Sequence, residues 1–434
     1  MSTAIRPSAC PGLLRIVQAL DGGICRIKLT GGSISVAQAN AVADAAERYA
    51  GGVIEATNRA NLQIRGIGSE QSALIDSLLA AGLGPTTAAG DDVRNLMLSP
   101  SAGIDRHRLI DTRPLAEQIL ATLQTNVRFH DLSAKFAVQL DGGEALAMLE
   151  HGHDLWLSAL VRGDEPLLAF GLAGSPLDKP LGAVALSHGH ALVVAVLELF
   201  LDLALPEQTR MRHLLAERPV AEFVQRLAAR VPVIPLDWQR PQAEPLLHIG
   251  TYPQRESDRA YVGAVTPLGR LDSSMLRGAA RLATEYGDGS LRFTPWQSLL
   301  LPSIRREDAA VVTQHLEQLG FLCSPDQALA HLIACTGASG CGKGLADTKG
   351  DALQLAALLQ RQGGAVNVHL SGCPRSCAAA HTAPVTLLAV GPGHYDLYFR
   401  DAGQPGFGVL QARNLTIDAA GALIDACPRS PLDA

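Results

Sequence analysis

GGSISVAQANAVADAAERYAGGVIEATNRANLQIRGI, Gly31 to Ile67, returns later in the chain in diverged form. LGRLDSSMLRGAARLATEYGDGSLRFTPWQSLLLPSI, Leu268 to Ile304, lies on it without a gap at a shift of 237 residues. Gly32 falls on Gly269, Ala43 on Ala280, Ala46 on Ala283, Tyr49 on Tyr286, Gly52 on Gly289, Thr57 on Thr294, Leu62 on Leu299 and Ile67 on Ile304. Each copy reads as an apolar helix (Val36–Tyr49; Ser273–Tyr286) ending at glycines suited to a left-handed cap. A strand follows (Val53–Thr57; Ser290–Thr294), then a loop and a second apolar stretch. Any helix–glycine–strand unit gives some matches, but the shared order of elements favours duplication, and the long spacing excludes a solenoid.

The chain has 434 residues, room for several domains. It is 47% apolar and 18% charged, a globular composition with full cores. Segment 85–235 carries an expected strand Lys135–Leu140, a turn at Asp141-Gly142-Gly143 and an apolar helix from about Ala191 to Leu205. Pro232, Pro235, Pro241 and Pro245 crowd the next stretch, which reads as a linker. The chain thus divides into half-module 1–84, α/β domain 85–235, half-module 236–308 and α/β domain 309–434, an α+β architecture. The net charge of −6 and the lack of any Lys/Arg run longer than two argue against nucleic-acid binding through a basic face. Glu198 and Asp202 interrupt the longest apolar stretch, Ala191–Pro206, which is too short to span a membrane. MSTAIRPSACPG lacks an apolar leader core, so a cytoplasmic location is expected.

Of eight cysteines, Cys10, Cys25, Cys323 and Cys427 are scattered, while Cys335, Cys341, Cys373 and Cys377 form C-x5-C…C-x3-C. Four thiolates in two close pairs suit a 4Fe-4S cluster, and Gly337, Gly340, Gly342 and Gly372 would let backbone N–H groups approach its sulfurs. Zinc and unligated buried thiols are the competing readings, although structural zinc pairs prefer two to four intervening residues. GASGCGK, Gly337 to Lys343, mimics a phosphate-binding P-loop, but Gly344 stands where Ser or Thr should hold magnesium. No G-x-G-x-x-G occurs, so any hydride from NAD(P)H would be accepted by a partner protein.

These residues resemble the sulfite and nitrite reductase superfamily. C-x5-C…C-x3-C is similar to its cluster motif, and TNRANLQIRGI (Thr57–Ile67) to its T-x-R-x-x-x-Q-x-x-G-I segment. VRNLMLSP resembles its R-N-V-x-x-S-P stretch, Lys135-Phe136 its L-P-R-K-F strand and GPGHYDLY (Gly391–Tyr398) its G-G-x-Y-x-L-Y strand. The resemblance implies paired ferredoxin-like half-domains related by a pseudo-twofold, each followed by an α/β domain. It also implies a 4Fe-4S cluster on the four cysteines, bridged to sirohaem, and Arg59, Arg94 and Lys135 as anion-binding residues. The family's second basic residue, two positions after the lysine, is Ala137 here, and the arginine before the lysine is Ala134.

Within that superfamily, ACPG (Ala9–Gly12) with Gly22-Gly23, and F-x-V-x-L-D-G-G (Phe136–Gly143), resemble the precorrin-3B synthase branch. Pro7-Ser8 replace the Arg-Gly of its opening. That branch uses O2 to hydroxylate precorrin-3A at C20, with lactone formation, in aerobic cobalamin biosynthesis. Arg59, Arg94 and Lys135 would then pair with tetrapyrrole carboxylates. Electrons would come from a ferredoxin or a separate NAD(P)H-dependent reductase. The branch is also associated with a mononuclear non-haem iron, for which the close histidine pairs His151/His153 (followed by Asp154) and His188/His190 are the nearest thing to a 2-His-1-carboxylate set. A sirohaem-dependent sulfite or nitrite reductase and a non-catalytic iron–sulfur electron-transfer subunit are the alternatives.

Overall fold

The computed structural model describes residues 10–426 except 86, 363, 364, 402, 403 and 405. Cys427 and Pro7-Ser8 lie outside the described residues. The first repeat helix, Val36–Ala50, opens on a reciprocal cap. The Ser35 hydroxyl accepts from Gln38 N–H, and the Gln38 side chain accepts from Ser35 N–H. It closes at Gly51 with φ +67°. Its counterpart, Ser273–Tyr286, opens where Asp272 accepts from Met275 N–H. It ends otherwise than expected: Gly287 is extended, φ −110°, and the left-handed residue is Gly289, φ +77°. Gly287 is required for close approach, since a Cβ there would lie 2.8 Å from Pro302 O.

The two half-modules build one body by exchanging strands. The first sheet runs Val17–Ala19, Gly22–Ile27, Leu62–Ile67, Val53–Ala56 and then Arg270–Asp272 from the second copy. The second runs Gly250–Pro253, Arg259–Val265, Ser298–Arg305, Ser290–Phe293 and then Ser33–Ser35 from the first. Registers repeat at the sequence shift: Leu271 faces Ile54, and Leu291 faces Ile34. Cys25 pairs with Ile64 as Val262 pairs with Leu301. The repeat helices pack against each other inside the shared core, and Ser273 Oγ donates to Ala43 O at 3.0 Å. The matched alanines Ala43, Ala46, Ala280 and Ala283 are all buried there. Small side chains let two helices approach closely, which is why alanine recurs at these positions.

The α/β domains also match in topology. In the first, Leu96–Leu98, Val138–Asp141 and His153–Arg162 run parallel, followed by antiparallel Glu165–Gly174 and Gly182–Ala185. In the second, Leu332–Ala334, Val368–Ser371 and Val385–Gly391 run parallel, followed by antiparallel His394–Phe399 and Val409–Leu415. The expected strand at Lys135 begins only at Val138. Asn95 Nδ2 donates to Ala134 O and Phe136 O, at 3.0 and 3.1 Å, and so diverts those carbonyls from the ladder. The apolar helix spans Gly189–Leu203 and buries Leu192, Val193, Val196, Leu197 and Phe200 in the core of the first α/β domain. In the proline-rich span the backbone makes one bridge, Ile234 with Ala183, and is otherwise irregular.

Candidate functional site

Parallel strands aim their carboxyl ends at one edge of a sheet, the usual place for a site in such folds. Cys335 follows Leu332–Ala334, and Cys373 follows Val368–Ser371. Cys341 and Cys377 complete the loops, and Leu345 N–H bonds to Gly372 O at 3.0 Å, holding the loops together. Gly372 N–H donates to Cys335 Sγ at 3.2 Å, and a Cβ at Gly344 would sit 2.5 Å from Gly337 C. Gly337 and Gly344 therefore leave no room for side chains between the cysteine loops. Burial first, then the charges of Cys373, Cys335 and Cys341, raise the Cys377 thiol, so all four sulfurs act on one region. Among the described residues no three His, Cys, Asp or Glu side chains converge on a single-ion site. Four thiols on two glycine-bearing loops, one of them already accepting a backbone N–H, fit a 4Fe-4S cluster better than zinc, whose pairs prefer two to four intervening residues. At the corresponding strand end of the first α/β domain, Arg240 from the proline-rich span is buried instead. It donates to Asp141 Oδ2 at 2.7 Å and to Glu144 O at 2.7 Å.

Beside the cluster loops lies a small cleft, about 20 Å³, lined by Arg59, Asn61, Arg94, Asn95, Ala137 and His153, with Leu96 and Met97. Asn58 Nδ2 donates to Cys377 O at 3.4 Å, so the loop carrying Arg59 touches the last cysteine. Thr57 Oγ1 accepts from Arg59 and Asn61 N–H at 3.3 and 3.1 Å, and Ala60 is left-handed, φ +56°, which turns Arg59 inward. Burial, then Arg210 and Arg26, lower Arg59 to about 10. Arg94 NH2 donates to Lys28 O at 3.2 Å, while its buried Nε and NH1 make no hydrogen bond, NH1 standing 3.8 Å from Asp91 Oδ1 in a long ion pair. Buried donors without acceptors await an anion. Lys28 is buried and lowered to about 8 by desolvation, and its Nζ ties down Asp91 O and Asp92 O at 2.6 and 2.9 Å. Lys135 is exposed and does not line the cleft.

His153 adds the opposite function. Its Nδ1 lies 2.8 Å from His151 O, a pure acceptor, so Nδ1 carries the proton and Nε2 the lone pair. Nε2 is buried and unpartnered in a residue lining the cleft, and burial, then Arg59, lower His153 to about 3. The iron triad considered from sequence is not assembled. Asp154 is taken by Arg210 Nε at 2.8 Å, Met211 N–H at 2.8 Å and Ala137 N–H at 2.9 Å. His190 Nε2 bonds to Thr122 Oγ1 at 2.8 Å.

The Nitrite/Sulfite reductase ferredoxin-like half domain matches residues 17–82 and 252–319, and the Nitrite and sulphite reductase 4Fe-4S domain matches 89–234. The chain belongs to the nitrite and sulfite reductase family. The second match falls on the α/β domain without cysteines, and the four cysteines lie in its topological twin. A ferredoxin–nitrite reductase of Zea mays is 32% identical over 84% of this chain and 68% of its own length. The Oryza sativa enzyme is 31% identical, with 65% of its own length covered, so the chain spans about two thirds of these plant relatives. A precorrin-3B synthase from Sinorhizobium sp. is 27% identical over 90% of this chain and 82% of its own length. The Mycobacterium tuberculosis NirA protein superimposes with a TM-score of 0.80 over 93% of this chain and 79% of NirA, at 24% identity, and shares the fold.

Sequence reasoning reached Arg59 and Arg94 through motifs and named His153 only as half of an iron-ligand pair, and it missed Arg26, Lys28 and Arg210. The signal for the first two was present. Cys25 and Ile27 alternate into the core from Gly22–Ile27, which places Arg26 and Lys28 on the other face.

Proposed function

We propose that this chain is an O2-dependent monooxygenase that hydroxylates precorrin-3A at C20, with lactone formation, to give precorrin-3B. The observation that carries the reading is the cation pattern of the cleft. Two guanidinium groups line it, Ala137 occupies the place of the family's second basic residue, and Lys135 is exposed. Guanidinium forks pair bidentately with carboxylates, with which a precorrin is fringed. The Sinorhizobium relative, which this chain covers more fully than it covers the plant enzymes, supports the same reading.

In this reading Cys335, Cys341, Cys373 and Cys377 hold the 4Fe-4S cluster. Such a cluster supplies electrons one at a time, which ground-state O2 needs before it reacts with a closed-shell organic molecule. Arg59 and Arg94 hold substrate carboxylates, Lys28 fixes the backbone before Arg94, and His153 Nε2 accepts a hydrogen bond from the bound molecule. Asn58, through Cys377 O, keeps the cluster loop against the cleft. A ferredoxin or an NAD(P)H-dependent reductase is the electron donor.

The second reading, a sirohaem-dependent nitrite or sulfite reductase, is favoured by the 32% identity to the maize enzyme. An absorption spectrum of the purified protein and aerobic turnover of precorrin-3A with a reductant test the choice. Iron–sulfur absorption alone with product formation supports the monooxygenase. Intense sirohaem bands with nitrite or sulfite consumption support the reductase. Neither turnover would leave an electron-transfer subunit.

A further inference from the structure

One feature of the interior lies outside the cation cleft and the cysteine loops. His151, fully buried in the first α/β domain, places Nε2 3.1 Å from Nδ1 of His381 in the second. The rings are stacked with centroids 5.2 Å apart. His381 follows Cys377 by four residues and is only half-buried. Glu150 and Arg400 act on it from the surface side. Arg400 NH1 donates to Glu150 Oε1 at 2.8 Å and to Thr382 O at 3.3 Å. At the inner end His151 Nδ1 is buried without a partner, next to His153 and under the field of Arg59. His369 is the remaining titratable neighbour of His381.

We propose that His381 and His151 form a proton relay from solvent to the cleft, crossing the interface between the two α/β domains beside the cluster. The inference rests on the reading that reduction takes place in this cleft. Monooxygenation consumes two electrons and two protons: O2 + RH + 2e⁻ + 2H⁺ → ROH + H2O. Electrons arrive from the donor through the cluster, but the polar groups that line the cleft, two guanidinium groups, two amides and the neutral His153 with its lone pair on Nε2, are poor proton donors. One proton enters at the outer nitrogen of His381, and the proton on Nδ1 passes to His151 Nε2. The proton on His151 Nδ1 then leaves towards Arg59 and His153, the neighbours of His151 that line the cleft. One proton enters and one leaves, and both rings return to the neutral state with exchanged tautomers. Burial, His381 and Arg59 keep His151 from holding the charge, so it passes the proton on. The unpartnered Nδ1 gives the relay its exit atom, which a packing contact alone does not explain.

The test compares the holoenzyme with His381→Gln and His151→Gln, after iron–sulfur absorption confirms the cluster in each. The first readout needs no substrate. The cluster is reduced with one equivalent of photoreduced methyl viologen in weak buffer containing phenol red, and proton uptake is followed by stopped flow. The second is aerobic turnover with its solvent deuterium isotope effect. Loss of a positioned proton-transfer group lowers rates about 10²-fold or more. Slower uptake in both variants, a raised isotope effect and rescue of His381→Ala by imidazole are expected. Wild-type uptake rates in His381→Gln, with its cluster intact, would overturn the relay. Normal relay behaviour in the first readout with no precorrin-3A turnover in the second would count against the proposed function and not against the relay.

Discussion

Replacing Arg94 with Met separates binding from stability more sharply than any other change in the cleft. Arg94 is mostly buried, with Nε and NH1 making no hydrogen bond; NH2 reaches Lys28 O at 3.2 Å, and NH1 stands 3.8 Å from Asp91 Oδ1. Each unsatisfied buried donor costs about 1–3 kcal/mol. Truncation relieves that cost but forfeits the Lys28 bond, about 1.5–3 kcal/mol for a charged donor, and the longer contact with Asp91. The terms nearly cancel, so folding stability should move by no more than about 2 kcal/mol. Ligand binding has no such compensation, because the donors idle in the free protein are the ones the anion would use. Loss of one charge-assisted contact, about 1.5–3 kcal/mol, weakens binding about 10- to 100-fold. Titration with uroporphyrin III, a stable tetrapyrrole polycarboxylate, followed by absorbance and paired with urea unfolding, reads both quantities. Arg113→Met, whose exposed pair with Asp111 lies elsewhere, is the control. Wild-type affinity in Arg94→Met, or an equal loss in the control, would refute the assignment of the cleft.

Cys341→Ser should abolish the iron–sulfur absorbance while far-UV circular dichroism stays native, since the loop contributes little to the core. Lys343 and Arg375 are exposed on the cysteine loops, so Lys343→Glu with Arg375→Glu should raise KM for an acidic ferredoxin several-fold and flatten its salt dependence, measured by steady-state kinetics. Arg240→Met strands the buried Asp141 carboxylate and should destabilise the first α/β domain by about 3–5 kcal/mol in denaturant titrations. Burial lowers His248 to about 3 and His369 to about 4, so both stay neutral when folded but charge when unfolded. Their stability is present above pH 6.5 and lost as pH falls towards 4, up to about 1.4 kcal/mol per pH unit per group. Acid unfolding of His248→Phe should show a shallower fall over that window.

The duplication was legible because its identities fall where the two copies touch: alanines on the facing helices, and glycines and threonines at the turns. The strand exchange was not, since Ser33–Ser35 and Arg270–Asp272 are three-residue strands whose partners lie more than 200 residues away. The second duplication, of the α/β domains, is invisible in sequence because only strand order and direction survive. The cysteine pairs announced themselves by spacing, and Arg59 and Arg94 by motif. His153 did not, because an H-G-H segment gives no hint that one ring is fixed by a backbone carbonyl while its other nitrogen opens into the cleft. The iron triad drawn from that segment failed at Asp154, which Arg210 occupies from 56 residues away.

The repeat also explains why, among the described residues, the cations of the cleft have no counterpart in the second half-module. At the shift of 237 residues, Arg59 corresponds to Trp296, Arg26 to Gly263 and Lys28 to Val265. The second half-module thus carries an aromatic ring, which stacks on His248 at 4.9 Å, where the first carries the cation of the cleft. In the α/β domains the asymmetry runs the other way. The second keeps cysteines at its parallel strand ends, while Arg240, Asp141 and Glu144 close the first. Strand exchange brings the surviving halves together. Arg65 NH2 reaches Gly340 O at 3.4 Å, Leu20 N–H reaches the same carbonyl at 3.3 Å, and Asn58 reaches Cys377 O. The cysteine loops of the second α/β domain therefore abut the loop that carries Arg59 into a cleft otherwise walled by the first α/β domain. Restoring Arg at Trp296 should create no second binding site, because its pseudo-symmetric cluster position is filled by Arg240. A stoichiometry of two bound tetrapyrroles in Trp296→Arg would show that the cations alone define the site and that the cluster loops do not.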